Sequence, residues 1–361
     1  MRIAQLAPPY ETVPPTCYGG TERVVATLTE ELVRRGHDVT LFASGDSCTS
    51  ARLVPIVDHA LWHHPEYEDF APFSAIALGK LAAEAARFDV VHNHLDYMGF
   101  PLARILPCPV VSTLHGRLDL PELVPCFEEF RDVPLVSISD AQRTPIRRAN
   151  WIATVHHGID LDEFTFVPER GGYLAFLGRI TPDKGVDTAI RMARRVGMPL
   201  KIAAREPLPM EGDPNSQVDR AYYEDVIKPL LSEPGVEFIG EVGGADKDRF
   251  LGDAAALVFP IRWPEPFGLV MIEALACGTP VVAMRCGSVP EVLEHGITGF
   301  IAETEDEFVA SVERIDRLDR LACRASAERR FSAGAMAEQY LEIYAGLAGV
   351  TKTSVVQVAA A

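Results

Sequence analysis

ALVFPIRWPEPFGLVMIEALACGTPVVAM, residues 256–284, holds a strand, a turn, a helix and a second strand in one short run. ALVFPI (256–261) and PVVAM (280–284) are apolar on both faces, which is how strands of a buried parallel sheet read. Between them, Gly268–Ala276 has the pattern of a helix. Strand, helix and strand in this order make a right-handed βαβ unit, the building block of a doubly wound sheet.

Outward from this run the same alternation fills the chain. Toward the amino end come VEFIGEV (236–242), PLKIAAR (199–205) and YLAFLGR (173–179). Before them lie WIATVHH (151–157), LVSIS (135–139), VVSTLH (110–115), DVVHNH (89–94), VTLFAS (39–44) and RIAQLA (2–7). Helical patterns fit Glu22–Arg35, Lys184–Val196, Tyr222–Leu231, Lys247–Ala255 and Asp306–Ile315. The polar run DLDEFTFVPERGG (160–172) separates two series of strands and reads as an interdomain linker. The expected fold is α/β, with two doubly wound Rossmann-like domains facing across a cleft. The expected domains are residues 1–165 and 166–333, and a last helix over 334–348 is expected to pack back on the first. TKTSVVQVAAA (351–361) has no partner pattern and is expected to be loosely held.

Composition narrows the function. With 361 residues the chain is too long for one ordinary core. A net charge of −17 argues against nucleic acid as a partner and against a polybasic membrane anchor. The cysteine count of 7 is odd, the residues are scattered, and no CxxC occurs, so neither a disulfide framework nor a zinc site is expected. No stretch approaches the ~18 apolar residues of a transmembrane segment. MRIAQLAPPY lacks the layout of a signal sequence, which predicts a cytoplasmic protein.

In doubly wound sheets, ligands bind outside the carboxyl ends of the strands. Candidate residues therefore follow the apolar runs. Pro264 and Pro266 hold the chain extended before Gly268 opens a helix, whose first N–H groups, near Gly268 and Leu269, make an anion site. Glu265 precedes that site, and Glu273 lies one turn past Leu269. One carboxylate on each side suits a ligand with hydroxyls flanking a diphosphate, such as a sugar nucleotide. The plainer alternative makes Glu265 a helix cap and Glu273 a solvated helix face. Arg179 ends a strand and Lys184 opens the next helix; two cations there would hold a diphosphate, or are simply surface charges. Gly19 and Gly20 let the backbone approach a phosphate, or mark a turn only. His115 ends VVSTLH, where a cleft residue belongs, although a lone histidine is more often structural. His92 and His94 point the same way from one strand, but a third metal ligand is missing, and no metal site is expected. His156 and His157 are assigned no chemistry.

The run EPFGLVMIEALACGTPVV resembles the donor-site motif of the family-4 retaining glycosyltransferases of GT-B fold. The resemblance covers nearly the whole chain: YGGTERVV (18–25), DVVHNH, STLHG (112–116), HHGID (156–160) and FLGRITPDKG (176–185) match in order. It implies that Arg179 and Lys184 bind the diphosphate, Glu265 the transferred sugar and Glu273 the ribose. It also implies that His115 faces the reacting centre, and that Gly19, Gly20, Phe267, Gly268, Leu269 and the backbone near Val242 contact the donor. KIAAREP (201–207) departs from the family pattern, which often has Ala-Gly there, so Arg205 is expected to add a cation. APPYETVPP, YGGTE and LFASGDS resemble bacterial members that glucosylate small molecules, pterins among them. The expected activity is retaining transfer of a hexose, glucose first, from a UDP-sugar donor to a small or carbohydrate acceptor. The donor is a substrate, and no cofactor or metal is implied. The acceptor is expected near residues 8–18 and 61–70. A sugar-nucleotide epimerase and a non-catalytic nucleotide-sugar-binding protein are the alternatives.

Overall fold

The computed structural model describes residues 1–17, 19–64, 67, 69–207 and 214–349. Tyr18, Pro65, Glu66 and Glu68 from the expected acceptor region, and the tail 351–361, lie outside that set. The chain divides into two compact units, residues 1–158 with 333–361, and residues 159–332.

The first unit is a seven-stranded parallel sheet in the order β3-β2-β1-β4-β5-β6-β7. Its strands are β1 (Arg2–Leu6), β2 (Asp38–Ala43), β3 (Arg52–Pro55), β4 (Val90–Asn93), β5 (Val110–Thr113), β6 (Leu135–Ser137) and β7 (Trp151–Thr154). β1, β2, β4, β5 and β6 are buried along nearly their whole length, as sheets covered on both faces require. Helix α1 (Gly20–Arg34) buries Val24, Val25, Leu28 and Leu32, each contributing roughly 1.5–3 kcal/mol.

The second unit is a six-stranded parallel sheet in the order β10-β9-β8-β11-β12-β13. These strands are β8 (Leu174–Leu177), β9 (Leu200–Ala203), β10 (Val236–Gly240), β11 (Ala256–Phe259), β12 (Val281–Met284) and β13 (Gly299–Ala302). The helices that matter below are α2 (Val186–Val196), α3 (Gly244–Gly252), α4 (Leu269–Ala276) and α5 (Arg320–Phe331). The apolar side of α2 closes a core that includes Phe176, Ile190, Ile202, Val258 and Phe308.

Several sequence expectations shift. β3 and β13 were not foreseen. The helix expected over 222–231 begins at Pro214 and passes through a π turn at Tyr223–Ile227. Lys184 lies not in a helix but in the turn before α2, its N–H bonded to Thr181 O at 3.1 Å. Residues 160–172, expected as a linker with the second domain opening at 166, belong to the second unit throughout, which begins at Ile159. Val167 explains this: its N–H donates to Cys277 O at 3.0 Å, and its carbonyl accepts from Arg320 Nε at 2.6 Å.

Helix α6 (Ala333–Ala348) belongs to the first unit, where it packs along α1 and over β4. Met336, Tyr340 and Tyr344 are its buried side chains.

Arg320 is 7% exposed and pairs with no carboxylate among the described residues. Instead it spans Val167 O, Ala254 O at 3.0 Å, Gly252 O at 2.8 Å and Thr279 Oγ1 at 2.8 Å. Arg320→Met leaves these buried acceptors unpaired, at about 3 kcal/mol or more. Thermal unfolding of the variant is expected to show the melting temperature reduced by roughly 6–12 °C. A shift within about 2 °C contradicts the role given to this guanidinium.

Candidate active site

In the second sheet, winding reverses between β8 and β11, which are neighbours although three strands apart in order. Such a switch point leaves a crevice at the carboxyl ends of the two strands. Arg179 and Lys184 follow β8, and Glu265 follows β11, so the three flank that crevice. Lys184 Nζ is ion-paired with Glu265 Oε2, both largely buried. Trp263 Nε1 donates to the same oxygen at 3.0 Å, and the Lys184 ammonium lies 5.6 Å from the Trp263 ring centroid. Arg179 is exposed and forms no ion pair with the described residues. Arg205 is exposed after β9, and Val242 is half-buried after β10.

Neither plain alternative for the glutamates matches the geometry. Gly268 is the N-cap of α4 with no side-chain cap, because Glu265 is turned to Lys184. Glu273 is only 5% exposed, so it is not a solvated helix face. Its Oε1 accepts from Lys247 Nζ, on α3, at 2.6 Å. Lys247 gave no signal in the sequence beyond its place in a helical pattern. Phe267 has its ring in the core, 6.0 Å from that of Phe331, and its carbonyl accepts from Ser288 Oγ at 2.7 Å. Only its backbone borders the start of α4. Leu269 begins α4 and is half-buried.

The loop after β12 fixes the Glu265 segment. Ser288 N donates to Glu265 O at 3.0 Å. Gly287 has φ +55°, and a Cβ built there would stand 2.3 Å from Glu265 O and 2.4 Å from Glu265 N. Only a residue without a side chain lets these two backbones meet.

In the first sheet the switch point lies between β1 and β4. Gly19 caps α1 with φ +143°, and a Cβ there would strike Pro15 Cβ at 2.6 Å. Close approach is therefore what Gly19 supplies. Gly20 is exposed. Glu22, in the first turn, is buried over the same turn, and burial pushes its carboxyl up to about 7. A phosphate arriving at Gly19–Gly20 would thus meet a carboxyl group, which the glycines alone did not reveal.

His115 follows β5. Its Nε2 is 2.8 Å from His94 Nδ1, and its ring stacks on His157 at 5.2 Å. Burial lowers its pKa to about 3, so the ring is neutral. Its backbone N–H donates to Asp96 Oδ1 at 3.1 Å, and burial pushes the Asp96 carboxyl up to about 6. His92 is fully buried and engaged on both ring nitrogens, so the H-x-H pair is structural support rather than an open ligand set. A concavity lined by Phe166, Arg170, Ile315 and Leu318 sits at the opposite, amino ends of β11 and β12 and contains none of the candidate residues. Among the described residues, no helix is long and apolar enough to cross a membrane.

Two doubly wound parallel sheets with this strand order define the GT-B class of glycosyltransferase fold. AviGT4, a glycosyltransferase involved in avilamycin A biosynthesis, superimposes with a TM-score of 0.71, covering 96% of this chain and 98% of its own at 23% identity. HepE of Anabaena, solved in complex with UDP-glucose, gives 0.71 with 96% and 100% coverage at 18% identity. The family described as Glycosyltransferase Family 4 matches residues 18–163, and Glycosyl transferases group 1 matches residues 160–330. The chain belongs to the family-4 glycosyltransferases. A D-inositol 3-phosphate glycosyltransferase of Mycolicibacterium smegmatis is 26% identical over 374 residues, covering 86% of this chain and 82% of the relative. An uncharacterized glycosyltransferase of Methanocaldococcus jannaschii is 26% identical over 365 residues, with 87% and 89% covered.

Gly287→Ala is expected to displace Glu265 and to lower both stability and transfer activity. Gly296 also has positive φ (+79°) but open space around its Cβ direction. Gly296→Ala should therefore cost only backbone strain of about 1–2 kcal/mol. Melting curves and transfer rates of the two variants make the comparison. Equal effects in both would remove the role assigned to the Gly287–Glu265 contact.

Proposed function

We propose that the protein transfers a hexose, glucose in the first instance, from a UDP-sugar to a small or carbohydrate acceptor with retention of configuration. The observation that carries this is the Lys184–Glu265 pair at the switch point of the second sheet, with Arg179 exposed beside it. Cations there neutralise a diphosphate, and a carboxylate beside them suits a sugar whose anomeric carbon gains positive charge. Before donor arrives, Glu265 holds Lys184 in place. The incoming diphosphate then competes for the ammonium and frees the carboxylate for the sugar hydroxyls. Glu273, anchored on Lys247 through one oxygen, keeps the other for the ribose.

The acceptor belongs on the first domain. Retention follows from front-face attack. The bond from the anomeric carbon to the diphosphate oxygen breaks, and the acceptor oxygen bonds to the same face. The acceptor proton passes to the departing phosphate, whose charge Arg179 and Lys184 stabilise. His115, held neutral, touches a sugar hydroxyl rather than acting as an acid. HepE, solved with UDP-glucose, favours uridine and glucose, and the inositol-phosphate relatives favour a polyol acceptor. The reading places the reaction in the cytoplasm and assigns it no metal.

Incubation with UDP-glucose and polyol acceptors, followed by mass analysis, tests the reading. A conjugate supports it; conversion to an epimer without acceptor, or no turnover with any nucleotide sugar, contradicts it. Arg179→Ala and Lys184→Ala are each expected to reduce kcat/KM by roughly 30- to 1000-fold. Glu265→Gln should mainly lower kcat, and Glu273→Gln mainly raise the donor KM. Steady-state kinetics with melting curves as control separates these from folding defects. Exhaustive chelation should leave the rate unchanged, and a rate restored only by added magnesium or manganese would oppose the metal-free reading.

A further inference from the structure

His115 stands at the end of a chain of hydrogen bonds that runs through the first domain to its last helix. Tyr340 OH lies 2.9 Å from Thr113 Oγ1, which lies 2.7 Å from His92 Nε2. His92 Nδ1 lies 2.6 Å from Tyr344 OH. Gln5 Nε2 donates to Tyr344 OH at 3.3 Å, and Gln5 Oε1 lies 2.7 Å from His94 Nε2. His94 Nδ1 lies 2.8 Å from His115 Nε2. Gln5, His92, His94, Thr113, Tyr340 and Tyr344 are all buried, so water does not substitute for any link.

The direction of each bond follows from the amide. Gln5 Oε1 only accepts, so His94 Nε2 carries its proton. A neutral imidazole has one N–H, so His94 Nδ1 is an acceptor. His115 Nε2 must then donate to it. The second proton-bearing site of His115 is thereby excluded, and Nδ1 keeps a lone pair. That atom is buried and has no hydrogen-bond partner among the described residues. On the other side, Gln5 donates to Tyr344 OH, which passes its own hydrogen to His92 Nδ1. Burial lowers the pKa of all three histidines, which keeps each ring neutral.

We propose that Gln5 and Tyr344 are positioning residues that fix the tautomer of His115, so that its Nδ1 presents a lone pair to a ligand hydroxyl. Gln5 does this through His94, and Tyr344 by bonding the amide nitrogen and so linking Gln5 to the tautomer of His92. With the amide turned over, every bond in the chain reverses, and His115 offers an N–H instead. In the observed orientation the oxygen of Tyr344 accepts from the amide nitrogen and donates to His92, which couples the orientation of Gln5 to the tautomer of His92. The site at the ends of β4 and β5 then accepts hydrogen bonds through both His115 Nδ1 and the Asp96 carboxylate. It selects a group that donates, such as a sugar hydroxyl. The sugar part rests on the glycosyltransferase reading; the tautomer does not.

The test is two-bond 1H–15N correlation spectroscopy of the full-length protein labelled with ring-15N histidine, without donor or acceptor, near neutral pH. His115→Gln identifies the His115 signals by their loss. The expected pattern is a protonated, pyrrole-type Nε2 and a bare, pyridine-type Nδ1. A proton on Nδ1, or an imidazolium, overturns the proposal whatever the enzyme transfers. Tyr344→Phe should yield a mixture of tautomers at His115 and lower kcat/KM about tenfold. A folded Tyr344→Phe protein with the wild-type pattern overturns the role of Tyr344. Gln5→Met provides the same reading at the amide, and if either variant does not fold, the wild-type spectrum still decides the tautomer.

Discussion

Parallel strands end on the same edge of their sheet, and a connection that climbs over one face cannot also climb over the other. Where the winding changes face, two neighbouring strands send their loops apart. Everything of chemical interest in this chain follows from that. In the second sheet the parted loops are those after β8 and β11, and they hold a cation and a carboxylate in contact. In the first they follow β1 and β4, and they carry the Gly19 turn and Asp96. The remaining candidates stand on neighbouring strand ends, His115 after β5 and Gly287 after β12.

Charges inside the fold are held in different ways. Lys247 and Glu273 meet at 2.6 Å between two helices, where removing either partner strands a buried charge. Arg320 is satisfied wholly by carbonyl and hydroxyl oxygens, and it ties residues 159–172 to the second domain. Glu22 and Asp96 have no cation partner among the described residues, and burial raises both carboxyls toward neutrality. The first domain therefore presents acceptors where the second presents cations. On the proposed reading, that contrast favours the second domain for a diphosphate.

Most of this was legible in the sequence where the signal was local. Eleven strands read as apolar runs, most of them because both faces of the sheets are covered. β3 was missed because its four residues, RLVP, have a charge at one end and proline at the other, and β13 because its four residues begin with glycine. Arg179, Lys184 and Glu265 could be singled out because they follow strands and sit in recognisable runs. What could not be read were partners distant in sequence. Nothing in residues 247 and 273 announces that they touch, and Tyr344 is 252 residues from the His92 ring it holds. Gly287 looks like any turn glycine until the backbone of Glu265 is seen against it.

The return of α6 to the first domain has a consequence for how the chain is made. Residues 159–332 form one uninterrupted unit, and the ribosome delivers it entire before α6 emerges. The first domain, although translated earlier, lacks Tyr340 and Tyr344 until the whole of residues 159–332 has been read. Until then His92 and Gln5 have no phenol to bond, and the groove along α1 and β4 is uncovered. The domain begun first is thus finished last, and the carboxyl-terminal half folds while its elder neighbour waits.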